Sequence, residues 1–126
     1  MQFRVADVRI RPPRGGYDAV IDTQTLWPGM LGLRGALAQI RAVLQADGIS
    51  VSVPPLGTAN EAKAFLAALR ESGFTLRRFD FIRFQDVGQS MAYPVIEADL
   101  SGSPGIEPNL EELYSTTLLM LESDSS

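Results

Sequence analysis

Neither cysteine nor histidine occurs in the 126 residues of this chain. Without cysteine there is no disulfide framework, thiol nucleophile or zinc–thiolate site. Without histidine the commonest metal ligand is missing, and so is the side chain best matched to proton transfer near neutral pH. A Ser–His–carboxylate triad is therefore excluded within the chain. Long apolar runs are lacking too: none approaches the roughly 20 residues of a membrane span. Met1-Gln2-Phe3-Arg4 does not have the apolar core of a secretory signal. A cytoplasmic protein without membrane attachment is expected. Carboxylates alone could hold magnesium or calcium, but no calcium-loop spacing is present and no metal is expected.

What is present is ordinary for a globular domain: 45% hydrophobic and 21% charged residues. The length fits a single domain with a real core, though it is small for a nucleotide-binding α/β enzyme. The net charge of −4 conceals an asymmetry. Arg4, Arg9, Arg11 and Arg14 crowd the start against Asp7 alone, while from Glu97 to Asp124 there are acids and no Lys or Arg. Such polarity could steer a nucleic acid to one end. Without aromatic residues interleaved among the arginines, base stacking has no platform. Arginines solvated around a loop, or paired with a partner's acids, are the expected reading.

Along the chain, Phe3-Arg4-Val5-Ala6 alternates enough for a short strand ended by Asp7. Pro12-Pro13 and Gly15-Gly16 then demand a loop. A buried strand runs from Tyr17 to Asp22, followed by polar Thr23 and Thr25 and a turn at Trp27-Pro28-Gly29. Leu33, Ala36, Leu37, Ile40, Val43 and Leu44 recur at helical spacing, with Asp47-Gly48 as the stop. A second buried strand follows from Ile49 to Val53. Thr58 with Glu61, or Asn60, can cap a second helix buried through Ala62, Phe65, Leu66 and Leu69 and closed by Gly73. The apolar phase then shifts at Arg77-Arg78, which predicts a bulge. The last two strands form an antiparallel hairpin around a longish loop from Gln85 to Met91. Residues 1–100 thus make one α/β unit, 101–107 a linker, and 108–126 a C-terminal helix and tail. That helix carries Leu118, Leu119 and Met120 beyond its main stripe, which predicts packing against a wide apolar area.

Four segments in this order suggest a family. Val5-Ala6-Asp7-Val8-Arg9 is similar to an aspartate-ended strand, and Tyr17-Asp18-Ala19-Val20-Ile21-Asp22 to the aromatic-Asp-x-Val strand after it. The segment from Leu37 to Gly48 is similar to a helix and turn, and Ser72-Gly73-Phe74 to the opening of a later strand. Together they resemble the C-terminal half of a class I, Rossmann-like S-adenosylmethionine (SAM)-dependent methyltransferase. The resemblance implies a partial sheet of that family: parallel strands with two crossover helices, an antiparallel hairpin, and an added C-terminal helix. It also implies that the full sheet order, 3-2-1-4-5-7-6, is represented only from the third strand onward.

The glycine-rich loop and ribose-binding acid of that family would lie upstream, and Gly15-Gly16 cannot replace the loop, because they precede a strand. Carried over by position, Asp7, Asp22 and Thr23 are the candidate cofactor-binding residues, and SAM is the cofactor the resemblance allows. Each has a plainer reading: Asp7 capping a turn, Asp22 or Thr23 capping the next segment. Trp27 reads as core or interface, and Arg77-Arg78 as solvated or bulge residues. No catalytic residue is assigned. An open apolar edge from Tyr17 to Asp22, and a sheet face left uncovered once both crossover helices fall on the other, predict a partner. A homodimer or hetero-complex is expected, with upwards of about 2,000 Å² buried if obligate. Three functions follow: a non-catalytic binding or assembly module, a methyltransferase completed by another chain or a missing half, and nucleic-acid binding, the last expected least.

Overall fold

The computed structural model describes residues 16–23, 26, 30, 32–86 and 88–125. The strand expected at 3–6, the arginine-rich segment with Asp7, and Trp27 lie outside the described residues. The elements are β1 (Tyr17–Thr23), α1 (Leu33–Val43), β2 (Leu44–Val53), α2 (Ala59–Glu71), β3 (Thr75–Asp86), β4 (Gln89–Asp99) and α3 (Leu110–Ser125). They form a four-stranded sheet of order β1-β2-β4-β3, with β1 and β2 parallel and β4 antiparallel to both neighbours. This is the order 4-5-7-6 that the resemblance implies. The fold class read from sequence holds.

Both crossover helices and α3 share one core on one face of the sheet. Leu37, Ile40, Phe65, Leu66 and Leu69 meet Leu76, Phe79, Ile96 and Ala98 there, joined by Leu110 and Tyr114. The first two helices lie together because both crossovers run the same way along a right-twisted sheet. Helix α2 is defined at both ends. Thr58 Oγ1 accepts from the Glu61 amide at 3.2 Å, so Thr58, rather than Asn60, is the cap. At the other end Gly73, at φ 93°, donates to Arg70 O, and Phe74 N donates to Leu69 O. That is a Schellman closure, which a left-handed glycine makes cheap.

The arginine bulge is where the apolar phase placed it. Leu76 pairs with Ala98 and Arg78 with Glu97, leaving Arg77 as the extra residue. The slip returns Phe79 to the face of Leu76 although the two are three positions apart. Pro94 is buried in β4 just beyond the last β2 pair, Ser52 with Ile96, where a missing amide costs no bond to β2.

Three expectations need correction. Helix α1 ends at Val43 and the chain is already extended at Leu44, so β2 starts five residues before Ile49. Gly48 is not the helix stop. It packs against β1, where a Cβ would lie 3.0 Å from Tyr17 O and 3.1 Å from Asp18 O. The β3–β4 connection is short: Asp86 pairs with Gln89, and Gly88 at φ 77° supplies the positive dihedral that a tight hairpin requires. Leu118, Leu119 and Met120 are exposed rather than packed.

The far face of the sheet, opposite the helices, is divided. Ala19, Ile21, Ile49, Val51 and Val95 give it an apolar half over β1, β2 and the adjoining part of β4. Toward β3 it becomes charged, where Arg78 pairs with Asp80 and Glu97. Helix α3 covers none of this, because Tyr114 anchors it beside α2: its hydroxyl donates to Leu56 O at 2.9 Å. Its ring meets Phe81 edge-on at 5.0 Å.

Candidate functional site

The C-terminal ends of β1 and β2 lie side by side because the two strands are parallel, and the polar side chains there define the candidate site. Asp22 pairs in register with Ser52, and Thr23 with Val53. The Ser52 hydroxyl donates to Asp22 Oδ2 at 2.7 Å, and Asp22 Oδ1 is also shut off from solvent. A carboxylate held this way is oriented rather than mobile. Thr23 is exposed, and successive strand residues alternate faces, so it points away from the helix side on which Asp22 sits. The two expected residues are neighbours in sequence that the strand separates in space. Asp7 lies outside the described residues.

Sequence reasoning missed Ser52. Its signal was faint: Ser50 and Ser52 alternate with apolar residues, which sets both on one face, yet both are 2% exposed and lie on the core side. The geometry can fix one acid at a strand end and offer a hydroxyl beside it. Asp22 and Ser52 share one face and Thr23 lies on the other, so the three do not converge on one point. Among the described residues there is no group of three or more acids placed to hold a metal ion. No helix among them is long and apolar enough to cross a membrane.

A second polar cluster surrounds the bulge. Arg77 Nε donates to Asp99 Oδ2 at 2.8 Å, its guanidinium also donates to Ser101 and Ser103, and Nη1 reaches Pro104 O at 3.3 Å. Burial pushes the Asp99 carboxyl up, but the Arg77 and Ser101 hydrogen bonds outweigh it and hold the group below the usual carboxylate range. This cluster is a clasp. It pins residues 101–105 to β3, assisted by Ile106 N donating to Leu76 O at 3.0 Å. Arg77 is thus a bulge residue, as one sequence reading had it. The cleft between α2 and the start of α3 is lined by Lys63, Arg70, Glu107 and Glu111. Its charges neutralise one another in the pairs Lys63–Glu111 at 2.8 Å and Arg70–Glu107 at 3.3 Å.

No protein-family model and no curated protein matches this chain. Solved structures do. A protein of Thermoplasma acidophilum assigned as a methyltransferase superposes with a TM-score of 0.57 at 11% identity, over 79% of this chain and 45% of its own. The cyclase SpnF gives 0.55 at 16% identity, over 82% and 57%. The M1.HpyAVI–SAM complex gives 0.51 at 16%, over 75% and 52%. The chain therefore has a methyltransferase-type α/β fold and spans about half the length of each of these structures. They include a cyclase and a protein assigned as a methyltransferase, so the fold does not select a chemistry.

Proposed function

We propose that this chain is a methyltransferase-like binding or assembly module that carries only part of a SAM site. The observation that supports this best is the reach of the chain. It matches about half of each similar structure, and among the described residues its sheet stops at β1 with an open edge. The resemblance puts the glycine-rich cofactor loop beyond that edge, and no G-x-G-x-x-G spacing occurs in the sequence. Asp22 would then be the cofactor-side remnant at the end of β1, with Ser52 orienting it.

A second reading has specific support. One similar structure is a SAM complex, and Asp22 is held in a fixed orientation at a strand end. On this reading another chain, or a further part of the same protein, supplies the missing loop and the pair is a methyltransferase. Methyl transfer has no need of histidine, because positioning nucleophile and methyl group supplies much of the rate. Calorimetry separates the two. The module reading expects no binding of SAM or its demethylated product tighter than about 100 µM by the chain alone, or roughly −5.5 kcal/mol. Tighter binding that disappears in a folded Asp22→Ala variant would refute it and favour the enzyme.

A further inference from the structure

We infer that α3 braces the loop that follows β2, and that the Arg77 clasp sets where along the sheet this brace lands. Tyr114 is then a positioning residue for Ser52 and, through it, for Asp22. That Ser52 and Asp22 belong to a site rests on the methyltransferase-like reading; the brace itself does not.

The brace is fixed at two ends. At the first, the bulge takes Arg77 out of the β3–β4 ladder, and its guanidinium collects Asp99, Ser101, Ser103 and Pro104 O. Residues 101–106 are thereby laid on β3 without room to spare. A Cβ at Gly105 would collide with Leu76 O and lie 2.9 Å from Thr75 Cγ2. Ile106 N donates to Leu76 O at 3.0 Å, and only residues 107–109 separate it from Leu110, the first residue of α3 and a buried one. Asn109 starts the helix at once, its side-chain oxygen accepting from the Glu112 amide at 3.2 Å. The start of α3 therefore has no slack.

The second end lies one helical turn beyond Leu110 on the same face. There Tyr114 is buried, and its hydroxyl donates to Leu56 O at 2.9 Å. Leu56 is buried as well, and its amide donates to Pro54 O at 3.0 Å. The chain thus turns tightly just after Val53, the last residue of β2. Ser52, one residue earlier, holds Asp22 at 2.7 Å. From bulge to strand end the connection is a short run of bonded groups: Arg77, the first turn of α3, Tyr114, Leu56 and Ser52. Undocked, a helix of 16 residues is only marginal in water. Freed from β3, residues 101–109 would span up to about 30 Å. Tyr114 would then no longer be delivered to Leu56, and the loop would lose the hydroxyl that pairs with its buried carbonyl.

The test is amide exchange read residue by residue by NMR on the whole chain, without SAM. A braced loop opens only when α3 undocks, so the Leu56 amide and the α3 amides should respond alike. Arg77→Ala should speed exchange at Leu56 and across residues 113–119 by at least about tenfold, with factors that agree within about twofold. Tyr114→Phe, which keeps the ring and removes only the hydroxyl, should speed both by about tenfold. The Ser52 amide signal should shift in both variants, while Ile96 and Ala98 keep their wild-type rates. Four results would overturn the inference. One is unchanged Leu56 exchange while α3 accelerates, which would mean that the buried Pro54 and Leu56 hold the loop unaided. The others are unchanged α3 exchange in Arg77→Ala, a Ser52 signal unmoved in both variants, and equal acceleration at Ile96 and Ala98, which is global unfolding. With no cofactor in the assay, the brace can fail while the proposed function stands, and calorimetry with SAM can refute that function while the brace stands.

Discussion

Gly48 and Asp99 show how single positions hold this sheet. A methyl group at residue 48 would meet Leu44 Cδ2 at 2.9 Å and two carbonyl oxygens of β1 at 3.0 and 3.1 Å. The leucine tip can turn aside, but the carbonyls belong to the paired backbone. Gly48→Ala should therefore cost about 2 kcal/mol, the middle of the overpacking range, measurable as a lower urea midpoint with an unchanged slope. Asp99 gives a pH signature. Its folded-state carboxyl lies below the ordinary value because of Arg77 and Ser101. It therefore contributes stability that is fully present above the unfolded pKa and is lost as pH falls through the folded one. Asp99→Asn should lower the thermal midpoint above about pH 5 by the equivalent of about 1 kcal/mol, and the gap to wild type should close as pH falls through the lowered folded-state value. A gap independent of pH would show that the clasp does not depend on the carboxylate charge.

At the scale of elements, the ends decide more than the middles. Thr58→Ala removes the acceptor for the Glu61 amide and should cost about 1 kcal/mol, read from chemical denaturation. Helix α2 was legible because its apolar stripe, cap and closing glycine all agree. Helix α1 was legible in its stripe but not its end: Leu44 continues the helical spacing, yet its burial comes from β2 beside β1. Periodicity cannot tell a last helical turn from the first buried residue of a strand. Arg77 reads the other way. A charged residue breaking an apolar strand announced the bulge, but its bonds to Asp99, Ser101 and Ser103 come from residues more than twenty positions downstream.

At the scale of the molecule, α3 is attached by few contacts. They are the burial of Leu110 and Leu113 against the core, the Tyr114 hydroxyl bond to Leu56, the aromatic cluster with Phe79 and Phe81, and exposed ion pairs such as Lys63–Glu111. Burial pushes the Tyr114 phenol well above its usual value, with the Glu61 charge adding to it, so the hydroxyl remains a donor across the accessible pH range. Tyr114→Phe strands a buried carbonyl and should cost about 1–3 kcal/mol. Amide exchange should rise across α3 while the central strands stay protected. Uniform acceleration throughout the chain would mean that α3 and the sheet open as one unit.

The sequence alone determined the strand and helix alternation, the parallel crossover, the bulge and a capped start to α2 at either Thr58 or Asn60. Each is a local pattern of side-chain spacing or backbone preference. It also carried the sheet order through its resemblance to a family whose topology is known. It could not determine that Ser52 would bond Asp22, that Thr23 would face away, or that α3 would join the helix layer rather than the far face. Those outcomes depend on which distant strands lie side by side and in what register, and register is settled only when the whole core packs.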